Sequence, residues 1–318
     1  MSLRFGGVFG CRGRNAILML ALRSSSSAAE QACSASDSPL PYTLTAKRQL
    51  SPDSYLLRYS LPKGRRRLGE DPTLPTCIKV FYPDGTDEKT GEAKPLEKSY
   101  SPVTHPSVEG FVELVVKSYP PRAGGGVGSF LCGMQVGETM LGTVKGKRVM
   151  HGSAAVLGRW TNIGLVAGGT GIAPLLQIAR LVLESRNPVD ASTKVHLLFT
   201  NRREEDILAR VEIENLASLH PERFLVAYSL TGVSVPESLV GHTGRGDGVM
   251  VASALPPPTG DGKTMILVCG TDGFVATWAG PVGRAPKKPD GSKGGKIQGP
   301  LLGLLKEAGY TAEEVFKY

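Results

Sequence analysis

A change of hydrophobic period near Arg159 constrains this chain more than any other feature. Ahead of it, short apolar runs at 55–59, 77–82, 109–117 and 138–144 are separated by turn-forming and charged stretches such as 63–69 and 83–94, with no helical period between them. Strands at that spacing predict an antiparallel barrel or sandwich. Beyond Arg159, strand candidates at 163–167, 194–200, 223–230 and 265–269 alternate with helical periods at 172–183 and 204–219. Alternation of this kind predicts a parallel sheet with helices on both faces. The 318 residues suit two domains of roughly 150 residues each. We place them at 39–158 and 159–318, after a leading segment 1–38.

Composition narrows the class. With 41% hydrophobic and 21% charged residues the chain is neither a disordered tail nor a membrane bundle, and it lacks the apolar run of about 20 residues that a spanning helix needs. The net charge is +8, and half of that excess is Arg4, Arg12, Arg14 and Arg23, which precede the first acid, Glu30. No basic stripe with interleaved aromatics remains elsewhere, which argues against nucleic-acid binding. The leading segment is Arg-rich, Ser-rich at 24–27 and acid-poor, so it reads as a mitochondrial transit peptide. The alternatives are a secretory signal built on the apolar run 16–22, against which Arg23 counts, and a retained arm giving peripheral membrane association. Five scattered cysteines without C-x-x-C and five histidines without H-x-x-x-H suggest neither a disulfide framework nor a metal site.

Four segments carry candidate chemistry. In the run 166–174, Gly168, Gly169, Thr170, Gly171 and Pro174 lie between a strand and a helical period, where free backbone N–H groups and the positive helix end would suit a phosphate. The same turn also serves as a plain βα connection. Lys98, Ser99, Tyr100, Ser101 and Pro102 offer a cation, a flat ring and a hydroxyl, although a Tyr flanked by Ser is also an ordinary half-buried strand residue. Val115, Val116, Lys117, Ser118 and Tyr119 precede a glycine run, Gly124, Gly125, Gly126, Val127 and Gly128, that aims N–H groups at an anion or else forms a loop tip. Cys269 and Gly270 end the last long strand candidate, where open α/β sheets bind ligands.

In this order and spacing, over about 41–318, the four segments resemble the NADH-cytochrome b5 reductases of the ferredoxin-reductase superfamily. The family's R-x-Y-[ST] is met by 98–101, its V-x-K-x-Y by 115–119, its A-G-G loop by 123–128, its G-G-T-G-I-x-P by 168–174 and its C-G by Cys269-Gly270; the aromatic ending at Tyr318 is similar to that of the mitochondrial members. The resemblance implies a six-stranded antiparallel FAD-binding barrel followed by a Rossmann-like parallel sheet that binds the nicotinamide cofactor. It implies hydride transfer from NAD(P)H to flavin and single electrons passed to an external haem protein, cytochrome b5 or a c-type cytochrome. By that analogy Tyr100 lies along the isoalloxazine and Ser101 near its N5. Lys98 and the backbone of Gly124 to Gly128 hold the FAD pyrophosphate, with Val115, Lys117 and Tyr119 lining the site. Gly169, Thr170, Gly171 and Pro174 meet the nicotinamide cofactor's phosphates, and Cys269 with Gly270 its ring.

Departures from the family pattern sharpen the expectations. Lys98 stands where relatives carry Arg, and a Lys lacks the bidentate fork. Gly126 and Gly128 stand where relatives commonly have Lys and Ser. These motivate the alternative of a non-catalytic paralogue acting as a binding or assembly subunit. Thr231 follows Leu230 where the family commonly places an acid for the adenosine ribose, and Arg202 and Arg203 offer charge for a 2′-phosphate, so NADH is the family default with NADPH the alternative. The stretch 280–298, dominated by Gly, Pro and Lys, is expected as a mobile surface loop. Its Lys287, Lys288, Lys293 and Lys296 are candidates for docking an acidic partner, or simply solvate it.

Overall fold

The computed structural model describes residues 38–87, 89–120, 125–145, 156–237, 239–287, 289 and 294–318. Residues 1–37, all but the last residue of the proposed transit peptide, lie outside the described residues, as do Gly124, Lys288 and Lys293.

The first sheet comprises β1 (Leu40–Ser51), β2 (Ser54–Ser60), β3 (Cys77–Tyr82), β4 (Leu96–Tyr100), β5 (Phe111–Lys117) and β6 (Thr139–Lys145). It is antiparallel, with strand order β4-β3-β6-β1-β2-β5. Just past β4, Pro102 bridges Leu114 and the Val103 N–H donates to the Glu113 carbonyl at 3.0 Å, which brings the two edges together. The long β1 serves both β6 and β2, bent by register shifts at Leu44/Ala46 and Gln49/Ser51. Alternate residues Leu57 and Tyr59 of β2, Ile78 and Val80 of β3, and Val112 and Leu114 of β5 point inward and are buried. Helix α1 (Val127–Gly133) packs against this core with Leu131 fully buried.

The second sheet holds β7 (Asn162–Gly168), β8 (Lys194–Asn201), β9 (Phe224–Leu230), β10 (Gly241–Thr243), β11 (Thr264–Cys269) and β14 (Val315–Lys317), in the parallel order β10-β9-β8-β7-β11-β14. Both faces are covered, which is why its central strands are continuous apolar runs rather than alternating ones. Ile163, Leu165, Leu197 and Phe199 face α2 (Ile172–Leu183) and α3 (Arg210–Leu219). Val166, Leu198, Ile266 and Val268 face α4 (Gly248–Ala254), α5 (Asp272–Ala279) and α6 (Gly303–Glu307). The helical period at 204–219 is shorter than expected because Ala209 takes a left-handed φ of 53° and separates a single turn at Glu204–Asp206 from α3.

The two sheets share apolar contact: Leu56, Val103 and Val115 of the barrel belong to the same buried cluster as Ile172 and Leu175 of α2. Within the described part of the stretch 280–298, β12 (Gly283–Arg284) and β13 (Lys296–Ile297) pair antiparallel. Its ends are tied down by buried Lys317, whose ammonium donates to the carbonyls of Pro281 (3.1 Å), Gly299 (3.4 Å) and Pro300 (2.7 Å). Gln298 clasps the Lys317 backbone from the other side. Among the described residues no helix is long and apolar enough to cross a membrane.

Candidate active site

The α/β side of the cleft is built from backbone. β7 and β11 are neighbours at the point where the strand order reverses, so their C-terminal ends open a crevice that connecting helices do not cover. Into it β7 delivers Gly168, then a single tight turn at Gly169–Gly171, then α2. Gly169 has φ of 52°. A Cβ on Gly171 would lie 2.1 Å from the Cys269 carbonyl oxygen, and one on Gly168 would lie 2.9 Å from the Phe274 ring. Only glycine lets this turn rest against Cys269-Gly270 at the start of α2.

The barrel side is built from side chains. Tyr100 closes β4 and is buried, with the Lys98 ammonium 5.5 Å from its ring and 5.5 Å from that of Tyr119. Burial raises the Tyr100 phenol well above its usual pKa, so it stays neutral. Val115 and Lys117, two residues apart on β5, turn the same way. The Lys117 ammonium pairs with Asp53 at 2.6 Å, while Ser51 and Ser54 donate to the same carboxylate at 3.1 and 3.0 Å. Partial burial pushes Asp53 up, but those hydrogen bonds and the Lys117 charge outweigh it and hold the carboxyl below the usual range.

These walls meet across a cavity of about 270 Å³ that collects Lys98, Tyr100, Ser101, Val115, Lys117 and Tyr119 from the barrel with Thr170, Gly171, Pro174, Cys269 and Gly270 from the α/β side. Residues from four distant segments of sequence therefore form one site. A second cavity of about 410 Å³ shares Lys117, Tyr119 and Thr170 with it and continues past Gly169 to Thr231. Gly125, Gly126, Val127 and Gly128 line neither cavity: Gly125 packs on the Tyr82 ring and Gly128 on the Lys117 carbonyl, where a Cβ would come within 2.6 Å. Gly126 precedes α1 and Val127 begins it.

Sequence reasoning missed several lining residues. Thr200 and Asn201, at the C-terminal end of β8, line the second cavity, and their buried side-chain hydroxyl and amide have no hydrogen-bond partner among the described residues. Their position at the end of a parallel strand beside the switch point was the available signal. Asp53 lines the second cavity, and Lys296 and Tyr318 the first. Arg202 lines the second cavity, and both arginines are largely exposed with carboxylates nearby: Arg202 lies 3.4 Å from Asp206 and 4.0 Å from Asp53, and Arg203 3.3 Å from Glu205. Arg245, 14 residues past Thr231 in sequence, shares a cavity of about 520 Å³ with it and Gly232.

Residues 41–148 match the oxidoreductase FAD-binding domain family and residues 165–279 the oxidoreductase NAD-binding domain family. NADH-cytochrome b5 reductase 2 of Emericella nidulans is 34% identical over 269 residues, covering 85% of this chain and 74% of the relative. The chain belongs to the NADH-cytochrome b5 reductase family. Its counterpart of the same description from Mycosarcoma maydis is 31% identical over 282 residues, covering 89% and 73%. In fold this b5-reductase-family chain is similar to the cytochrome b5 reductase domain of Ulva prolifera nitrate reductase, with a TM-score of 0.64 and 22% identity over 88% of this chain and 97% of that one.

The residues present fit the two cofactors that these domain families bind. Among the described residues the Tyr100 hydroxyl and the Thr200 and Asn201 side chains have no hydrogen-bond partner and so offer bonds to a ligand, and the lack of a Cβ at Gly171 lets the turn close onto the Cys269-Gly270 strand end beside them. For this reductase-family chain the barrel wall would hold the flavin and the α/β wall the dinucleotide.

Proposed function

We propose that this chain passes reducing equivalents from NADH through FAD to a cytochrome b5-like haem protein. The observation that carries this reading is the single cavity in which Lys98, Tyr100 and Ser101 face Gly171, Pro174 and Cys269. Flavin, when bound, supplies the conversion of a two-electron hydride into single electrons. The chain's own residues orient and exclude. Tyr100 gives a flat neutral face, Ser101 a hydroxyl beside it, and Lys98 a cation for a pyrophosphate, helped by Gly125, Gly126 and Gly128. Gly169 to Gly171 present backbone N–H groups to a second phosphate pair, and Cys269 with Gly270 closes the ring pocket from the strand end. Two stacked rings held between fixed walls need no further acid or base.

Purified chain from about residue 39 should show the flavin absorption band, which NADH bleaches without oxygen and which oxidised cytochrome b5 restores. A folded, colourless protein that takes up no added FAD would leave the assembly-subunit reading, which rests on Lys98, Gly126 and Gly128. A c-type cytochrome is the alternative acceptor, and comparing the two haem proteins in the same assay decides between them.

Three finer proposals accompany this one. Arg4, Arg12, Arg14 and Arg23 without an acid support mitochondrial import, tested by fusing 1–38 to a reporter. Lys287 and Lys296 support docking of an acidic partner on the insertion, tested by the salt dependence of cytochrome reduction after Lys→Gln replacement, with ferricyanide reduction unchanged for Lys287→Gln. Thr231 in place of an acid supports weak discrimination against NADPH.

A further inference from the structure

Helix α2 is apolar nearly throughout, yet Gln177 sits in its middle and is 1% exposed. A buried amide among apolar neighbours is costly unless its hydrogen bonds are made. Here they are made to the other domain. The Gln177 carbonyl oxygen accepts from the Thr76 backbone N–H at 2.8 Å, and its amide nitrogen donates to the Thr76 hydroxyl at 3.3 Å and toward the Thr104 carbonyl at 3.5 Å. The Thr76 N–H demands an acceptor, which fixes which way round the amide lies.

The placement of the partners matters. Thr76 immediately precedes Cys77, and Thr104 follows Ser101 by three residues; Cys77 and Ser101 both line the first cavity. On the helix, Gln177 lies four residues after Ala173 and three after Pro174, on the face that carries both into the same cavity. One side chain thus ties two segments of the barrel wall to the helix that forms the α/β wall. Two other polar links between described residues of the domains are of a different kind. Arg48 with Glu212 and Asp53 with Arg202 pair at partly or largely exposed positions, where ion pairs contribute little.

We propose that Gln177 is a positioning residue for hydride transfer: it sets the separation of the two walls, and so the distance between flavin and nicotinamide rings bound against them. The proposal rests on the NADH-to-FAD reading above. Hydride transfer falls steeply with misplacement of its partners, so loosening the walls slows the transfer without removing any ligand contact.

The test uses Gln177→Met, which keeps length and apolar contact but makes none of the three bonds. In the FAD-loaded protein the rate constant for anaerobic flavin reduction by NADH should fall at least tenfold, with FAD content and the Kd for NADH within threefold of wild type. Exchange of the Thr76 amide, which needs no cofactor, should quicken at least tenfold while amides of β2 and β5 keep their protection. Arg48→Gln, which cuts an exposed link, should leave the reduction rate within twofold. If Gln177→Met does not fold, Thr76→Val, which deletes one of the three bonds, should give the same pattern at about threefold. A variant reduced within twofold of wild type, even with a lower melting temperature, overturns the proposal alone. A wild-type flavin that NADH does not reduce overturns the functional reading and this proposal with it.

Discussion

The two walls of the cleft are made of different material. The barrel presents side chains: Lys98, Tyr100, Ser101, Val115 and Lys117 stand at strand ends, where the period of two lets neighbouring strands aim several groups at one place. The α/β sheet presents backbone: Gly168, Gly171 and Gly270 work by what they lack, since a Cβ at Gly171 would strike a carbonyl at 2.1 Å. The difference follows from the ligands each fold accepts. A ring needs faces and hydroxyls, whereas phosphates need bare N–H groups at a helix start. The barrel wall should therefore tolerate graded substitution, and the α/β wall should fail abruptly.

The largest effect expected is from Gly171→Ala. The new methyl meets backbone rather than a flexible side chain, so the turn must move. Flavin reduction by NADH should fall at least about a hundredfold, equivalent to ~3 kcal/mol of transition-state stabilisation, while absorbance at the flavin band shows FAD retained. Normal reduction by this variant would remove the claim that the α/β wall works by backbone approach.

Next is the barrel wall. Tyr100→Leu should weaken FAD binding by about tenfold, the scale of one aromatic contact, measured by flavin release on dilution. Tyr100→Phe should weaken binding less than Tyr100→Leu, because it keeps the ring face and loses only the bond its hydroxyl, without a partner among the described residues, gives the ligand. A hundredfold loss with Phe would make the hydroxyl, rather than the ring face, the main contact.

Cofactor choice gives a smaller effect. Wild type should prefer NADH over NADPH by well under a thousandfold in kcat/KM, and Thr231→Asp should widen the preference by about tenfold through repulsion of a 2′-phosphate. Arg245→Gln should widen it further if its charge reaches that phosphate. A wild-type preference of a thousandfold or more would mean that the carboxylates paired with Arg202 and Arg203 already exclude it.

The smallest effect is the pH response of the Asp53–Lys117 pair. The folded pKa of Asp53 is depressed, so its contribution to stability is complete above the carboxylate's unfolded value and is lost as pH falls through the lower folded value. Asp53→Asn should lower the melting temperature at neutral pH by no more than about 2 °C, because the pair is partly exposed, and that deficit should vanish as pH falls through the acid window. An effect persisting at pH 7 after high salt would show that the pair is shielded from solvent.

Much of this arrangement is legible along the chain. The strands at 55–59 and 77–82, the helix at 172–183 and the turn before it follow from short-range pattern, because period and glycine placement act over a few residues. β4 was harder to see, since Leu96–Tyr100 alternates weakly and carries two charges at exposed positions. β14 and the two-residue strands of the insertion carry too few residues for any period. The insertion also reads as unstructured from its Gly, Pro and Lys content, because what restrains it is one buried ammonium 17 to 36 residues away in sequence.

The sequence by itself determined the change from barrel to α/β sheet, the phosphate-facing turn and the kinds of group available to a flavin, because each is written in neighbouring residues. Tertiary structure alone decided which of those groups meet. Thr76 and Gln177 are 101 residues apart and bond directly. Asp53 reaches Lys117 because β2 pairs with β5 in the register Ser54↔Lys117. Thr200 and Asn201 face the cavity because β8 lies beside β7 at the switch point, and Arg202 comes within 4.0 Å of Asp53 from the other domain. Strand order and sheet closure set these distances, and no local pattern of residues encodes either.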